Sequence, residues 1–302
     1  MLLFSTDNWH PAPTDYPSLY LVDKEWYLWS ATPTPTFGPF SYTRPAIDRN
    51  IVSVRQYARE FHSEKTLAVL KEIVPDFPPG KMTLISANRI NQSPMFPWRT
   101  NIPEAIESIR FMTPPPGSVV MVNLSPVHGS SVLTDKYIGQ QLVKLTASGC
   151  VVIVSAGNEL QLLSADSIPS GNQVVVVGGY SAQSNTPESN YGPGVTSYMP
   201  VPISLTRYDV AMTYGQSSAA TAQMAGVVLL MQNYAHSRSR FLTPSEVKSI
   251  LSTRGKPISI QRDRQTVNSF TPVWSALRVG IDAKLTPPVS PIGRIPNMPP
   301  GN

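Results

Sequence analysis

Apolar and polar positions along this chain follow two rhythms, and the changes between them mark out its elements. "HSEKTLAVLKEIV" places Leu67, Val69, Leu70 and Ile73 at helical spacing, and "NIPEAIESIRFM" and "LTDKYIGQQLVKLTASG" also read as helices. Between and before them lie short apolar runs, "SLYLVD", "KMTLISANRI", "SVVMVNLS", "CVVIVSAGN" and "QVVVVGG", which read as strands. Strands alternating with helices predict an α/β architecture: a mostly parallel sheet covered by helices on both faces. In such sheets the active groups gather outside the carboxyl ends of the strands.

After "GQSS" a long apolar helix is expected to begin just past the serines and run to about Tyr234. "LTPSEVKSILST" carries a complete helix start, with Thr243 as N-cap, Pro244 at the first helical position and Glu246 closing a capping box. The two ends of the chain differ from this body. Residues 1–50 hold ten of the 26 aromatic residues together with many prolines, so they are expected to contain little helix and to lie against the body through their rings. Residues 285–302 carry six prolines and little to bury, which reads as a flexible tail. One domain over 1–284 followed by that tail is the expected organisation.

Composition narrows the class. Charged residues are 14% of the 302, well below the roughly 25% of an average soluble protein, and the 31 prolines imply many ordered loops. Apolar runs such as "AGVVLLM" fall short of the roughly 18 residues a membrane span needs, and "MLLFSTD" turns polar too early for a signal peptide. The single cysteine, Cys150, excludes an internal disulfide. That agrees with a cytoplasmic setting, and also with a secreted chain shown without its leader. Net charge is +5, with basic residues at Arg238, Arg240, Lys248, Arg254, Lys256, Arg262 and Arg264. With no nucleic-acid motif or aromatic platform beside them, they read as a solvated face around a late helix, not as a nucleic-acid or membrane surface.

Two segments carry candidate chemistry. In "VVIVSAGNEL" a buried strand drops abruptly to Ser155, Ala156, Gly157 and Asn158, which puts an amide at the carboxyl end of a central strand. An amide there donates a hydrogen bond to a developing oxyanion, or it simply makes a turn. In "YGQSSAATAQMAG" two serines stand at a helix start among small residues. Unpaired backbone N–H groups and the helix dipole favour negative charge on a nucleophile at that place. A plain serine N-cap is the alternative.

Together these segments resemble the subtilisin-like serine peptidases. "ASGCVVIVSAGN" is similar to the family segment ending Ala-Ala-Gly-Asn, and "QSSAATAQMAG" to Gly-Thr-Ser-Met-Ala-x-Pro-His-Val-Ala-Gly. Counting back from Gly226 places Ser218 on the nucleophile and Ser217 on the threonine before it. "SVVMVNLS", "SIPSGNQVVVVGGYS", "SNYGPGVTSYMP" and "LTPSEVKSILST" extend the resemblance in unbroken order over about residues 117–255. It implies a three-layer α/β/α fold and a triad ordered Asp, His, Ser along the chain. It also implies that Asn158 serves as oxyanion donor, and that Asn123, Leu124, Ser125, Ser155, Ala156 and Gly157 line the substrate.

Four histidines are available for the base. His236 follows Ser218, His128 follows the substrate-flanking strand, and His10 leaves almost no chain for an aspartate-bearing strand ahead of it. His62 remains, opening "HSEKTLAVL" where the family has His-Gly-Thr-x-Val-Ala, with Ser63 and Glu64 in place of the glycine and threonine. A surface histidine at a helix start is the alternative reading. For the acid, Asp23 ends the apolar run "SLYLVD" and lies 39 residues before His62. Asp7 and Asp48 are the other carboxylates in reach, and no Asp-Thr-Gly follows any of them.

Further departures from the family pattern bear on specificity. Gln216 replaces a glycine two residues before the nucleophile, Ala222 replaces a proline, and Pro126 with Val127 replace Leu-Gly at the substrate edge. A larger group at 216 and a lost backbone donor at 126 point to narrow specificity rather than broad digestion. The implied function is a serine endopeptidase acting on a peptide or protein. Its rivals are a catalytically silent binding protein of the same fold and a ligase that passes the acyl group to an amine. The resemblance brings in calcium as the one candidate cofactor, with no site assigned, and a propeptide for which no chain is expected ahead of the first catalytic strand.

Overall fold

The apolar runs assemble into one six-stranded sheet in the computed structural model, which describes residues 9–23, 62–87, 102–125, 131–167, 173–207 and 210–286. Its strands are β1 (Leu19–Asp23), β2 (Met82–Ser86), β3 (Val119–Val122), β4 (Val151–Ser155), β5 (Val175–Tyr180) and β6 (Ser197–Pro200). They lie in the order β2-β1-β3-β4-β5-β6, every neighbouring pair parallel. Successive side chains on a strand point to opposite faces, and here both faces are dry. Leu19, Leu21, Met121, Ile153, Val175 and Val177 enter one core. Tyr20, Val22, Val120, Val152, Val154 and Val176 enter the other. This is why the strands read as near-continuous apolar runs without polar alternation.

Helices α1 (His62–Ile73), α4 (Gln216–Arg238), α5 (Pro244–Thr253) and α6 (Trp274–Leu285) contribute to the first core, and α2 (Ile102–Phe111) and α3 (Lys136–Ala147) to the second. The result is the expected three-layer α/β/α arrangement. Among these helices α4 is buried without a break from Ala219 to Ala235, as expected of a helix apolar on every side. Its start departs from expectation. It begins at Gln216, and its N-cap is Gly215, which makes no side-chain bond. Both serines therefore sit inside the first turn, and neither is a cap.

Helix α5 opens as its sequence predicts. Thr243 Oγ1 accepts from the Glu246 N–H, and the Glu246 carboxylate accepts from the Thr243 N–H at 2.8 Å. The same carboxylate takes two 2.8 Å hydrogen bonds from the Arg240 guanidinium, which hold its pKa down at about 2. Arg238 lies over the Tyr234 ring and donates to its hydroxyl. Part of the basic cluster is thus engaged within the fold.

Two antiparallel hairpins complete the described chain, β7–β8 (Ile203–Arg207 with Val210–Tyr214) and β9–β10 (Lys256–Arg262 with Gln265–Thr271). At the amino end, Trp9 stacks on Trp274 with centroids 5.0 Å apart, and Tyr16 meets Phe77 edge to face. Those contacts place Trp9 and Tyr16 against the body. Asp7, Asp48, Pro126, Val127, His128 and the proline-rich tail beyond Thr286 lie outside the described residues.

The spacing between α1 and α4 is set by one glycine. A Cβ on Gly226 would stand 2.8 Å from Ile73 Cγ2 and 2.9 Å from Ile73 Cβ, closer than packed carbons come. Because α1 begins with His62 and α4 carries Ser218 in its first turn, this contact holds the two together from below. Gly226→Val is expected to lower the unfolding free energy by about 1–3 kcal/mol through overpacking. Equilibrium denaturation in urea measures it, and an unchanged midpoint would show that the helices are not in close contact there.

Candidate active site

Asp23 is the last residue of β1, and its carboxylate is fully buried. His62 is the first residue of α1 and turns Nδ1 to Asp23 Oδ1 at 2.6 Å. A carboxylate only accepts, so Nδ1 carries the proton of this contact and Nε2 is left as the acceptor of the neutral ring. The second carboxylate oxygen is taken by Thr66, whose hydroxyl donates to Oδ2 at 2.8 Å. Thr66 stands one helical turn after His62, on the same face of α1. The pairing of His62 with Asp23 is incompatible with an isolated surface histidine.

Asn158 lies three residues past the end of β4, after Gly157 turns the chain with a φ of +95°. Its Oδ1 accepts from the Ser217 N–H at 3.0 Å and from Ser217 Oγ at 2.6 Å. A backbone N–H can only donate, which fixes the oxygen on that side and leaves Nδ2 as the group able to donate elsewhere. In α4 the first intrahelical bond runs from the Ala219 N–H to Gly215 O, so the Ser218 N–H lies ahead of the ladder. Ser218 itself is half-buried. A half-buried hydroxyl, a backbone N–H at a helix start and an amide nitrogen nearby are what stabilisation of an oxyanion at Ser218 requires.

The chain reaches this geometry through an unusual residue. Gln216 has a φ of +58°, a left-handed conformation that costs of order 1 kcal/mol or more outside glycine. Its carbonyl lies against β5, where a Cβ on Gly179 would stand only 2.9 Å from Gln216 O. The turn before Ser218 is thus clamped onto the sheet, while the Gln216 side chain is exposed.

Tyr214 and Thr66 were not singled out from the sequence. Tyr214 ends β8, is 5% exposed, and places its hydroxyl 3.1 Å from His62 Nε2, 3.0 Å from Thr66 Oγ1 and 3.1 Å from Asn123 Nδ2. Burial and the nearby Asp23 charge push its pKa above the usual tyrosine value, offset in part by its hydrogen bonds with Thr66 and Asn123. The group therefore stays a neutral phenol at any ordinary pH. The only signal in the sequence was a polar-tipped aromatic four residues before Ser218.

The residues expected to line the substrate divide. Ser125 is half-buried, whereas Asn123, Leu124, Ser155, Ala156 and Gly157 are buried. Asn123 directs its amide inward, donating to Thr66 Oγ1 at 2.9 Å and to Tyr214, while its N–H is held by Val22 O. The carbonyls of Ala156 and Gly157 accept from the side chain and backbone of Asn190, so this turn is braced from behind. Among the described residues no group of three or more His, Cys, Asp or Glu side chains is placed to hold a metal ion, and the calcium brought in by the resemblance has no assigned site. Nor, among them, is any helix long and apolar enough to cross a membrane.

Comparison with known proteins gives a family and a fold. The model of the subtilase family matches residues 105–268, just over half of the chain. An extracellular basic protease of Dichelobacter nodosus is 32% identical over 146 residues, which are 45% of this chain and 24% of that protein. The chain thus spans about a quarter of the length of that curated relative. Among solved structures, the protease domain of PatA superposes with a TM-score of 0.60 at 13% identity, covering 90% of this chain and 99% of that one. The nisin leader peptidase NisP from Lactococcus lactis gives 0.53 at 14% identity, covering 91% and 89%. At such identities the structural likeness shows a shared fold.

Proposed function

The chain belongs to the subtilase family, and from that premise we propose that it is a serine endopeptidase working through an acyl-enzyme on Ser218. The observation that carries this reading is the 2.6 Å pairing of His62 with the buried Asp23, made across 39 residues of sequence, together with the bond from Ser217, the residue before Ser218, to Asn158. A binding protein that only kept the fold has no need of a buried carboxylate, which is costly without partners.

In this reading Ser218 Oγ attacks the scissile carbonyl and its proton ends on His62. Asp23 holds the imidazole in one tautomer and orientation and stabilises the imidazolium. Asn158 Nδ2 and the Ser218 N–H receive the oxyanion. Collapse of the tetrahedral species expels the amine, which takes the proton back from His62. Water then repeats the sequence and frees the carboxylate.

Asn158→Leu is expected to lower kcat about 10²- to 10³-fold with little change in KM, the scale of losing one oxyanion donor in a subtilisin, because that bond forms only in the transition state. Steady-state kinetics on a cleaved peptide checks it. A rise in KM at constant kcat would instead make Asn158 a substrate-binding residue.

Two departures in the sequence bear on specificity. The exposed Gln216 beside the nucleophile and Pro126 after the substrate strand support a narrow range of peptides. Ser125, three residues past the end of β3, is half-buried where Asn123 and Leu124 are buried. The nisin leader peptidase, one of the structural neighbours, is named for a single class of peptide, which accords with such selectivity. The test is incubation of the intact chain with a peptide library in ¹⁸O-labelled water. The reading expects a small set of new carboxyl termini, each bearing the label. Products lacking the label and joined to added amines would identify a ligase, and an untouched library would favour a binding role.

A further inference from the structure

Thr66 puts a hydroxyl where packing alone asks for none. It follows His62 by four residues, on the face of α1 that also carries Leu70 and Ile73 into the core, and it is fully buried. Valine has the same shape without the hydroxyl, and a buried hydroxyl is costly unless it is bonded. A threonine inside a helix commonly bonds the carbonyl four residues back. Here that is His62 O, 3.2 Å away. Asp23 Oδ2 is nearer, at 2.8 Å, and it is charged. The hydroxyl has one proton to give, so the carboxylate takes it.

That choice fixes what stands behind Thr66. With its proton on Asp23, Thr66 Oγ1 accepts from Asn123, 2.9 Å away, which turns the amide nitrogen to that side. The second Nδ2 proton reaches the Tyr214 hydroxyl at 3.1 Å. Among the described residues Asn123 Oδ1 is buried without a hydrogen-bond partner, so the nitrogen is the end that holds this amide in place. A hydroxyl that accepts a hydrogen bond also donates more strongly, so Asn123 reinforces the bond from Thr66 to Asp23.

We propose that Thr66 is a positioning residue of the triad: its hydroxyl, with Asn123 behind it, locks the Asp23 carboxylate in the orientation that turns Oδ1 to His62 Nδ1. The inference rests on the peptidase reading above and adds no step to it. A carboxylate fixed at one oxygen can still turn about its Cβ–Cγ bond, where the torsional wells are broad. A bond to the second oxygen removes that freedom. Oδ1 then stays 2.6 Å from the ring, and the imidazole keeps one tautomer and one orientation. Asn123, expected from the sequence to line the substrate, serves instead in the support of the acid.

The experiment follows Ser218 phosphonylation by a fluorophosphonate, and turnover of a cleaved peptide, in wild type, Thr66→Val and Thr66→Ser. It then repeats Thr66→Val in an Asp23→Ala background. Thr66→Val is expected to slow phosphonylation and kcat about 10-fold with little change in KM, the scale of one hydrogen bond to a charged group. Thr66→Ser keeps the hydroxyl and should remain close to wild type. Without the Asp23 carboxylate the hydroxyl has nothing to orient, and Thr66→Val should cost no further rate. If Thr66→Val does not fold, Thr66→Cys set against Thr66→Ser makes the same test, because the two differ by one atom and a thiol donates weakly. An unchanged rate in Thr66→Val, an equal loss in Thr66→Ser, or a loss that persists without Asp23 overturns the proposal and leaves the peptidase reading intact. Absence of phosphonylation in folded wild type overturns both.

Discussion

His62→Ala is expected to slow acylation of Ser218 by about 10⁶-fold, the scale of removing the base of a subtilisin. In the proposed mechanism the serine proton ends on His62 Nε2. With the imidazole gone, Asp23 remains buried but has no donor between it and the nucleophile, and the Tyr214 hydroxyl keeps only Thr66 and Asn123. Acylation and deacylation would fall together, because one group serves as base and then as acid in both. The rate of phosphonylation measures the first step and peptide turnover the two combined. A loss below about 10²-fold would mean that another group accepts the proton.

Asp23→Asn is expected to cost about 10⁴-fold in kcat, as an Asp-to-Asn change does in other serine triads. The physical reason here is specific. Asp23 accepts from His62 Nδ1–H on one oxygen and from the Thr66 hydroxyl on the other. An amide has one accepting end. If its oxygen faces Thr66, its NH₂ faces His62, and Nδ1 must give up its proton to become an acceptor. The proton then sits on Nε2, where the base must be empty. If its oxygen faces His62, its NH₂ faces Thr66, which must turn its proton from the carboxylate to His62 O, 3.2 Å away, or to the phenol. Either way the site is wired wrongly, yet folding should survive. Kinetics joined to the imidazole nitrogen NMR shifts of His62 check both parts. Full activity with Nε2 protonated would contradict the assignment.

Much of this was legible in sequence where the signal is local. The Thr243, Pro244 and Glu246 start of α5 depends on four consecutive residues and was read as it stands. The central strands were legible because burial on both faces leaves little but β-branched and apolar residues in "VVIV" and "VVVV". Asp23 could be placed because an apolar run that ends in a carboxylate must bring it to a sheet end.

Other features depend on tertiary contact. The hairpins escaped notice because strands such as Lys256–Arg262 expose most of one face and offer few apolar positions. The start of α4 was misplaced by a few residues because Gln216 and the serines are neutral in propensity and make no cap. Tyr214 meets His62 across 152 residues and Thr66 across 148, contacts that no periodicity announces. Asn123 could be named as a site residue from its strand, but its inward role became visible only with those two partners in place.

The most direct test is to treat the intact chain with a fluorophosphonate probe and map the adduct by mass spectrometry in wild type and in Ser218→Ala. A single adduct on Ser218, absent from folded Ser218→Ala, is the predicted result. An adduct on another residue, or none on folded wild-type protein, would contradict the claim that Ser218 is the nucleophile of a serine peptidase.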